Sequence, residues 1–138
     1  MNQSLIRVGT LYLPVTNVDR SAKWYVDNLH AQLTHQDEDK AILNLANVSI
    51  FLVKSPESES ANFVDAAGEL RCSMTFEVDG YPALQALRKE FIEKEIEVGE
   101  IENRGHAGRN FIFKDPDGNK FDVWSELSPN FKRNLFIS

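Results

Sequence analysis

The feature that most narrows what this chain can fold into is a duplicated order of patterns. Period-two alternation, a stretch of helical periodicity and three further extended runs follow one another, and the same series then repeats. In the first half, Val8 to Val15 reads as a strand, with Leu11, Leu13 and Val15 on one face and Thr10, Tyr12 and Pro14 on the other. Asn17 is placed to cap a helix whose apolar positions are Ala22, Tyr25, Val26 and Leu29, with Trp24 at the margin of that stripe. Gln32 to Gln36, Ala41 to Leu45 and Val48 to Val53 complete a βαβββ unit.

The second half repeats it. Ser73 to Val78 alternates Met74, Phe76 and Val78 with Ser73, Thr75 and Glu77, and Asp79 stands where a cap is needed for a helix carrying Leu84, Leu87, Phe91 and Ile92. Extended runs follow at Ile96 to Glu102, Asn110 to Lys114 and Lys120 to Ser125. Between the last two lies Asp115-Pro116-Asp117-Gly118, where Pro116 presets the backbone and Gly118 accepts a positive φ, the chemistry of a tight hairpin turn. The junction Lys94-Glu95-Ile96 has no glycine, so a left-handed residue there carries some strain. The expected organisation is one domain over 1–138, with a first module at about 5–54, a polar connector at about 55–70, a second module at about 71–127 and a tail at 128–138.

Charge and composition exclude several roles. A formal net charge of −6 argues against nucleic acid, which needs a basic stripe, and tolerates a cationic ligand better than an anionic one. No apolar run is long enough to span a bilayer and Met1-Asn2-Gln3-Ser4 has no leader character, so the expectation is a cytoplasmic protein without a membrane partner. Cys72 is the single cysteine, which rules out an internal disulfide and reads as a buried, inert thiol.

Two βαβββ units, the stretch Leu13-Pro14-Val15-Thr16-Asn17-Val18-Asp19-Arg20-Ser21-Ala22-Lys23-Trp24-Tyr25 and the late Asp115-Pro116-Asp117-Gly118-Asn119-Lys120-Phe121-Asp122 together resemble the vicinal-oxygen-chelate superfamily of glyoxalases, bleomycin-resistance proteins and extradiol dioxygenases. The resemblance reaches to about Leu127. It implies an α+β fold in which paired βαβββ modules form a cupped mixed sheet, with the helices on the outer face and the ligand, often with a divalent metal, in the cup. Alternation then directs Thr10, Tyr12, Ser73, Thr75 and Glu77 to the concave face.

Metalloenzymes of that superfamily place His or Glu at the start of each module's first strand and Glu in its last. Those places here are Thr10, Ile50, Ser73 and Asp122. Only Asp122 is a good ligand for zinc or iron, whose catalytic sites need three protein ligands, so the expectation is no resident metal and no cofactor. His30 and His35 read as surface residues. The loop Asn103 to Arg109 holds His106 and Arg109, which either face solvent or reach a bound anion. Asp122 shares a strand face with Lys120 and Trp124, and a buried carboxylate there needs a partner, with Lys120 and Arg109 as candidates.

The ligand-binding set is therefore Thr10, Tyr12, Ile50, Ser73, Thr75, His106, Arg109, Asp122 and Trp124, with catalytic residues unassigned. Two functions fit. One is a small-molecule-binding protein of the glyoxalase/bleomycin-resistance type that does not use the usual metal site. The other is a lyase or dioxygenase with shifted ligands or metal-free catalysis. A homodimer is the expected assembly, and Phe131, Leu135, Phe136 and Ile137 form an apolar tail suited to cover the domain or a neighbouring subunit.

Overall fold

The computed structural model describes residues 4–135, and these divide after Ser60 into two compact units. Phe136 and Ile137 of the apolar tail, and the first three residues of the chain, lie outside the described residues.

The first unit runs β1 (Thr10–Val15), α1 (Val18–Leu29), β2 (Gln32–Gln36), β3 (Lys40–Leu45) and β4 (Val48–Lys54). Its sheet has the order β1-β4-β3-β2, so the last strand returns parallel to the first. The register pairs Leu11 with Ile50 and Leu13 with Leu52, while β3 sets Leu43 opposite Ile50 and Ala41 opposite Leu52. Leu13, Val15, Ala41, Leu43, Ile50 and Leu52 form a buried apolar face, and α1 brings Ala22 and Tyr25 to the unit's core. Burying a side chain the size of Leu13 or Tyr25 contributes roughly 1.5–3 kcal/mol each. Asn17 caps α1 as its side-chain oxygen accepts from the Arg20 amide at 3.0 Å. The helix ends on His30 at φ 60, a left-handed stop made without glycine. Val26, expected in the buried stripe, is more than a third exposed.

The second unit holds β5 (Phe63–Val64), β6 (Leu70–Arg71), β7 (Thr75–Glu77), α2 (Tyr81–Glu93), β8 (Asn110–Lys114), β9 (Lys120–Trp124) and α3 (Pro129–Leu135). The sheet order β7-β9-β8 again puts the last strand parallel to the first, with Phe76 opposite Val123. Phe111, Phe113, Phe121 and Val123 form the buried face, where Phe91 of α2 meets Phe113 at a ring distance of 4.9 Å.

Four expectations need correction. The run Ile96 to Glu102 is not a regular strand. It joins β8 through two isolated bridges, Val98 to Phe113 and Glu102 to Asn110, whose registers differ by one residue, so the ladder bulges between them. Asp79 does not cap α2. Gly80 does, at φ 104, a conformation a side chain resists, and no side chain accepts from the first turn. The connector is not merely polar chain, because its end forms the β5–β6 hairpin. Ser73 stands before β7, outside it, with its hydroxyl donating to the Ala61 carbonyl. The strained stop at Glu95 does occur, at φ 62.

The hairpin turn is held by side chains. Asp115 Oδ1 accepts from the amides of Asp117 and Asn119, both at 2.9 Å, and Asn119 Nδ2 donates to Asp115 Oδ2 at 2.9 Å. Asn119 Oδ1 in turn accepts from the Ala61 amide at 2.9 Å. Beside it Asn62 acts as a strand partner, since its amide both donates to the Lys120 carbonyl and accepts from the Lys120 amide, each at 2.9 Å. Asn119 is 1% exposed, so Asn119→Ala leaves buried partners unpaired. We expect a loss of about 2–4 kcal/mol in urea denaturation; a change within about 0.5 kcal/mol means the turn does not depend on that side chain.

Candidate functional site: the polar face of the second sheet

The face of β7-β9-β8 opposite the phenylalanines is built by register. Thr75 lies opposite Asp122, Ile112 opposite Asp122 from the other side, Asn110 opposite Trp124 and Glu77 opposite Trp124. All point the same way because facing residues in a sheet share a side.

Asp122 is the hub, 7% exposed. Its Oδ2 accepts from Thr75 Oγ1 at 3.2 Å, Asn110 Nδ2 at 2.9 Å and Arg104 Nη1 at 3.2 Å. Its Oδ1 lies 3.1 Å from Arg104 Nη2, a charge contact without hydrogen-bond alignment. Arg104 also donates from Nε and Nη2 to Glu102 Oε1, at 3.0 and 2.7 Å. One guanidinium thus spans two carboxylates. Desolvation pulls the Arg104 pKa down, but bonds to Glu102 and Asp122 outweigh it and hold the group above its ordinary value.

Trp124 forms the wall beside this cluster. Its Nε1 donates to the Ala107 carbonyl at 2.9 Å, and His106 Nδ1 donates to the same oxygen at 2.8 Å, so Nε2 is the nitrogen left to accept. The imidazole meets the indole edge-on at a ring distance of 6.0 Å. Gly108 makes this contact possible. A Cβ there would lie 2.7 Å from Ser125 Oγ and 2.8 Å from Trp124 Nε1, so this glycine serves close approach.

The predicted residues distribute as follows. Thr75, Asp122, Trp124 and His106 come together on this face or its rim. Arg109 precedes β8 and alternation turns it away from Asn110. It lines a separate pocket of about 270 Å³ with Tyr81, Gly108, Ser125 and Glu126. Neither Arg109 nor Lys120 pairs with Asp122; Arg104 does. Thr10 and Tyr12 are exposed on the first sheet, where Tyr12 meets Phe51 edge-on at 5.1 Å. Ile50 is 1% exposed on the buried face of that sheet, opposite Leu11 and Leu43, so it lines the core and not a ligand surface. Sequence reasoning missed Arg104, Glu102 and Asn110. Counting back from the Asp115 turn would have set Asn110 opposite Trp124, whereas nothing in a glycine-bearing loop announces where Arg104 comes to rest.

A family model of the Glyoxalase/Bleomycin resistance protein/Dioxygenase superfamily matches residues 7–123. The chain belongs to this superfamily. Solved structures with the same fold include lactoylglutathione lyase from Agrobacterium tumefaciens (16% identity, TM-score 0.67, 86% of this chain and 92% of that one). TnmS3, an antibiotic binding protein from Streptomyces sp. CB03234, is similar at 19% identity and TM-score 0.67, over 89% of this chain and 98% of that one. The fosfomycin resistance protein FosX from Listeria monocytogenes, complexed with Mn(II) and sulfate, is similar at 12% identity and TM-score 0.68, over 98% and 99%. No curated protein matches. No helix among the described residues is long and apolar enough to cross a membrane.

The superfamily implies a divalent metal, and the residues here do not fit one. Of Thr10, Ile50, Ser73 and Asp122, one is an isoleucine in the core, one is a serine bonded to Ala61, and the only carboxylate is clamped by a guanidinium that repels a second cation. Among the described residues, no group of three or more His, Cys, Asp or Glu side chains is placed to hold a metal ion.

Cys72 senses the same carboxylate. Burial raises its thiol pKa and the Asp122 charge raises it further, against a downward pull from Arg104. The thiolate is the charged form, so iodoacetamide labelling followed against pH should show a midpoint above the ordinary thiol value. Asp122→Asn should move that midpoint down; an unchanged midpoint separates Cys72 from the site.

Proposed function

We propose that this protein is a small-molecule-binding member of its superfamily that holds a partly aromatic ligand on the polar face of the second unit, against Trp124, without a resident metal ion. The observation that carries this reading is the commitment of Asp122 to Arg104, Thr75 and Asn110, which removes the one inherited carboxylate from metal chemistry. Trp124 supports it, because an indole pinned by its own N–H offers a flat apolar surface of fixed orientation, and polar groups beside such a wall are the usual composition of a ligand site. The antibiotic-binding neighbour shows that the fold supports capture of a small molecule, although fold likeness alone assigns no ligand.

The test combines metal analysis with thermal shift. Protein purified without an affinity tag or chelator should carry well under one zinc, iron, nickel or manganese per chain, and added Mn(II) should leave Tm unchanged. A screen of aromatic metabolites and cationic antibiotics should give hits that raise Tm with concentration, since binding to the folded state alone stabilises it, and Trp124→Ala should abolish the shift. One tightly held metal per chain, lost in Asp122→Ala, would overturn the reading, as would turnover of a hit at a rate proportional to protein concentration.

A further inference from the structure

After β9 the chain is fixed at Ser125 and again at Ser128, and the two fixings differ in kind. Ser125 is held by backbone. It is 1% exposed, its amide donates to the Arg109 carbonyl at 3.0 Å, its carbonyl accepts from the Gly80 amide at 2.9 Å, and its Oγ accepts from the Arg109 amide at 2.8 Å. Ser128 is held by a single side chain. Its amide donates to Glu77 Oε1 at 2.8 Å and its hydroxyl donates to Glu77 Oε2, so both oxygens of one carboxylate are spent on this one residue.

The C-terminal helix α3 begins at the next position, and its first turn closes where the Lys132 amide donates to the Ser128 carbonyl at 3.0 Å. Pro129, Asn130, Phe131, Lys132 and Arg133 are all exposed, so these side chains bury little against the unit. A helix of 7 residues is also well short of the roughly 12–15 that persist alone in water, so α3 draws its order from where it is attached. Glu77 makes that attachment. It stands on the outer strand β7, opposite Trp124 on the polar face.

We propose that α3 is a detachable strap, latched to the second sheet by Glu77 and hinged at Glu126 and Leu127. Opening the latch breaks the two bonds to Ser128 and leaves Ser125 and the β8–β9 ladder in place, so it is a local event that does not require the unit to unfold. The closed strap occupies Glu77, and the open strap returns an uncommitted carboxylate to the edge of the sheet beside Trp124. The device is therefore a contact between the tail and the polar face that is either made or broken, and it stands whether or not that face binds a ligand.

Amide hydrogen exchange in the full chain, resolved by residue with NMR, tests it. In the unaltered protein the Lys132 amide should be protected, but less so than the amides of the β8–β9 ladder. Glu77→Ala should speed Lys132 exchange at least about tenfold, the effect of losing one charge-assisted hydrogen bond, while the ladder amides stay within about twofold. Glu77→Gln, whose carbonyl can still accept from one Ser128 donor, and Ser128→Ala, which keeps the backbone bond, should each give a smaller acceleration confined to the same amide. These two changes are conservative and carry the test if Glu77→Ala does not fold. Exchange of Lys132 at the free-peptide rate in the unaltered protein would overturn the proposal, because no latched state would then exist. So would an unchanged Lys132 rate in all the variants, or ladder amides that speed up together with Lys132, which would make Glu77 a support of the sheet and not a latch.

Discussion

The side chains that β8 and β9 bring to the second unit's polar face owe their direction to the register of one hairpin. Asp115 gathers the amides of Asp117 and Asn119, Gly118 takes the left-handed step, and from there Lys114 faces Lys120, Ile112 faces Asp122 and Asn110 faces Trp124. A slip of one residue would exchange the two faces of β9, sending Phe121 and Val123 to the polar side and Asp122 into the phenylalanine core. Burial of Phe111, Phe113, Phe121 and Val123 opposes that slip on one side, and the bonded carboxylate opposes it on the other. The turn and the core thus specify the same register independently, the agreement of local and global preference expected of a well-determined fold.

Within that frame the Arg104 ion pair does more than an exposed one would. Surface pairs contribute about 0–1 kcal/mol, whereas stranding a buried charge costs several times more. Asp122 is nearly buried and its partner is one third exposed, so the carboxylate depends on the arginine more than the arginine depends on it. The asymmetry assigns fixed and movable parts. Thr75 and Asn110 hold Asp122 from strands, while Arg104 reaches it from a loop that Gly108 seats against Trp124.

Much of this was legible in the residues. The doubled strand-and-helix order, the Asn17 cap and the split of Lys120, Asp122 and Trp124 from Phe121 and Val123 all follow from short-range periodicity and turn chemistry. Ile50 was misplaced because matching by chain position ignores alternation; its neighbours Leu11 and Leu43 put it in the core. Asp79 lost the capping position to Gly80 because a backbone angle near φ 104 outranked a favourable side chain. Arg104 was beyond reach for a different reason. Its partner is eighteen residues away and the path between is a loop, a strand and a hairpin turn, and the loop carries no period that a reader can follow.

The segment from Ala61 to Ser73 closes on itself. Ser73 bonds the Ala61 carbonyl, while Asn62 fills the ladder positions at Lys120 that short β7 does not reach. A side-chain amide stands there in place of a strand, so the open rungs at the start of β9 are covered whatever the intervening hairpin does. The stretch is therefore a natural graft point. Insertions, deletions or foreign sequence between Phe63 and Cys72 would meet this pair of fixed anchors, Asn62 on Lys120 and Ser73 on Ala61.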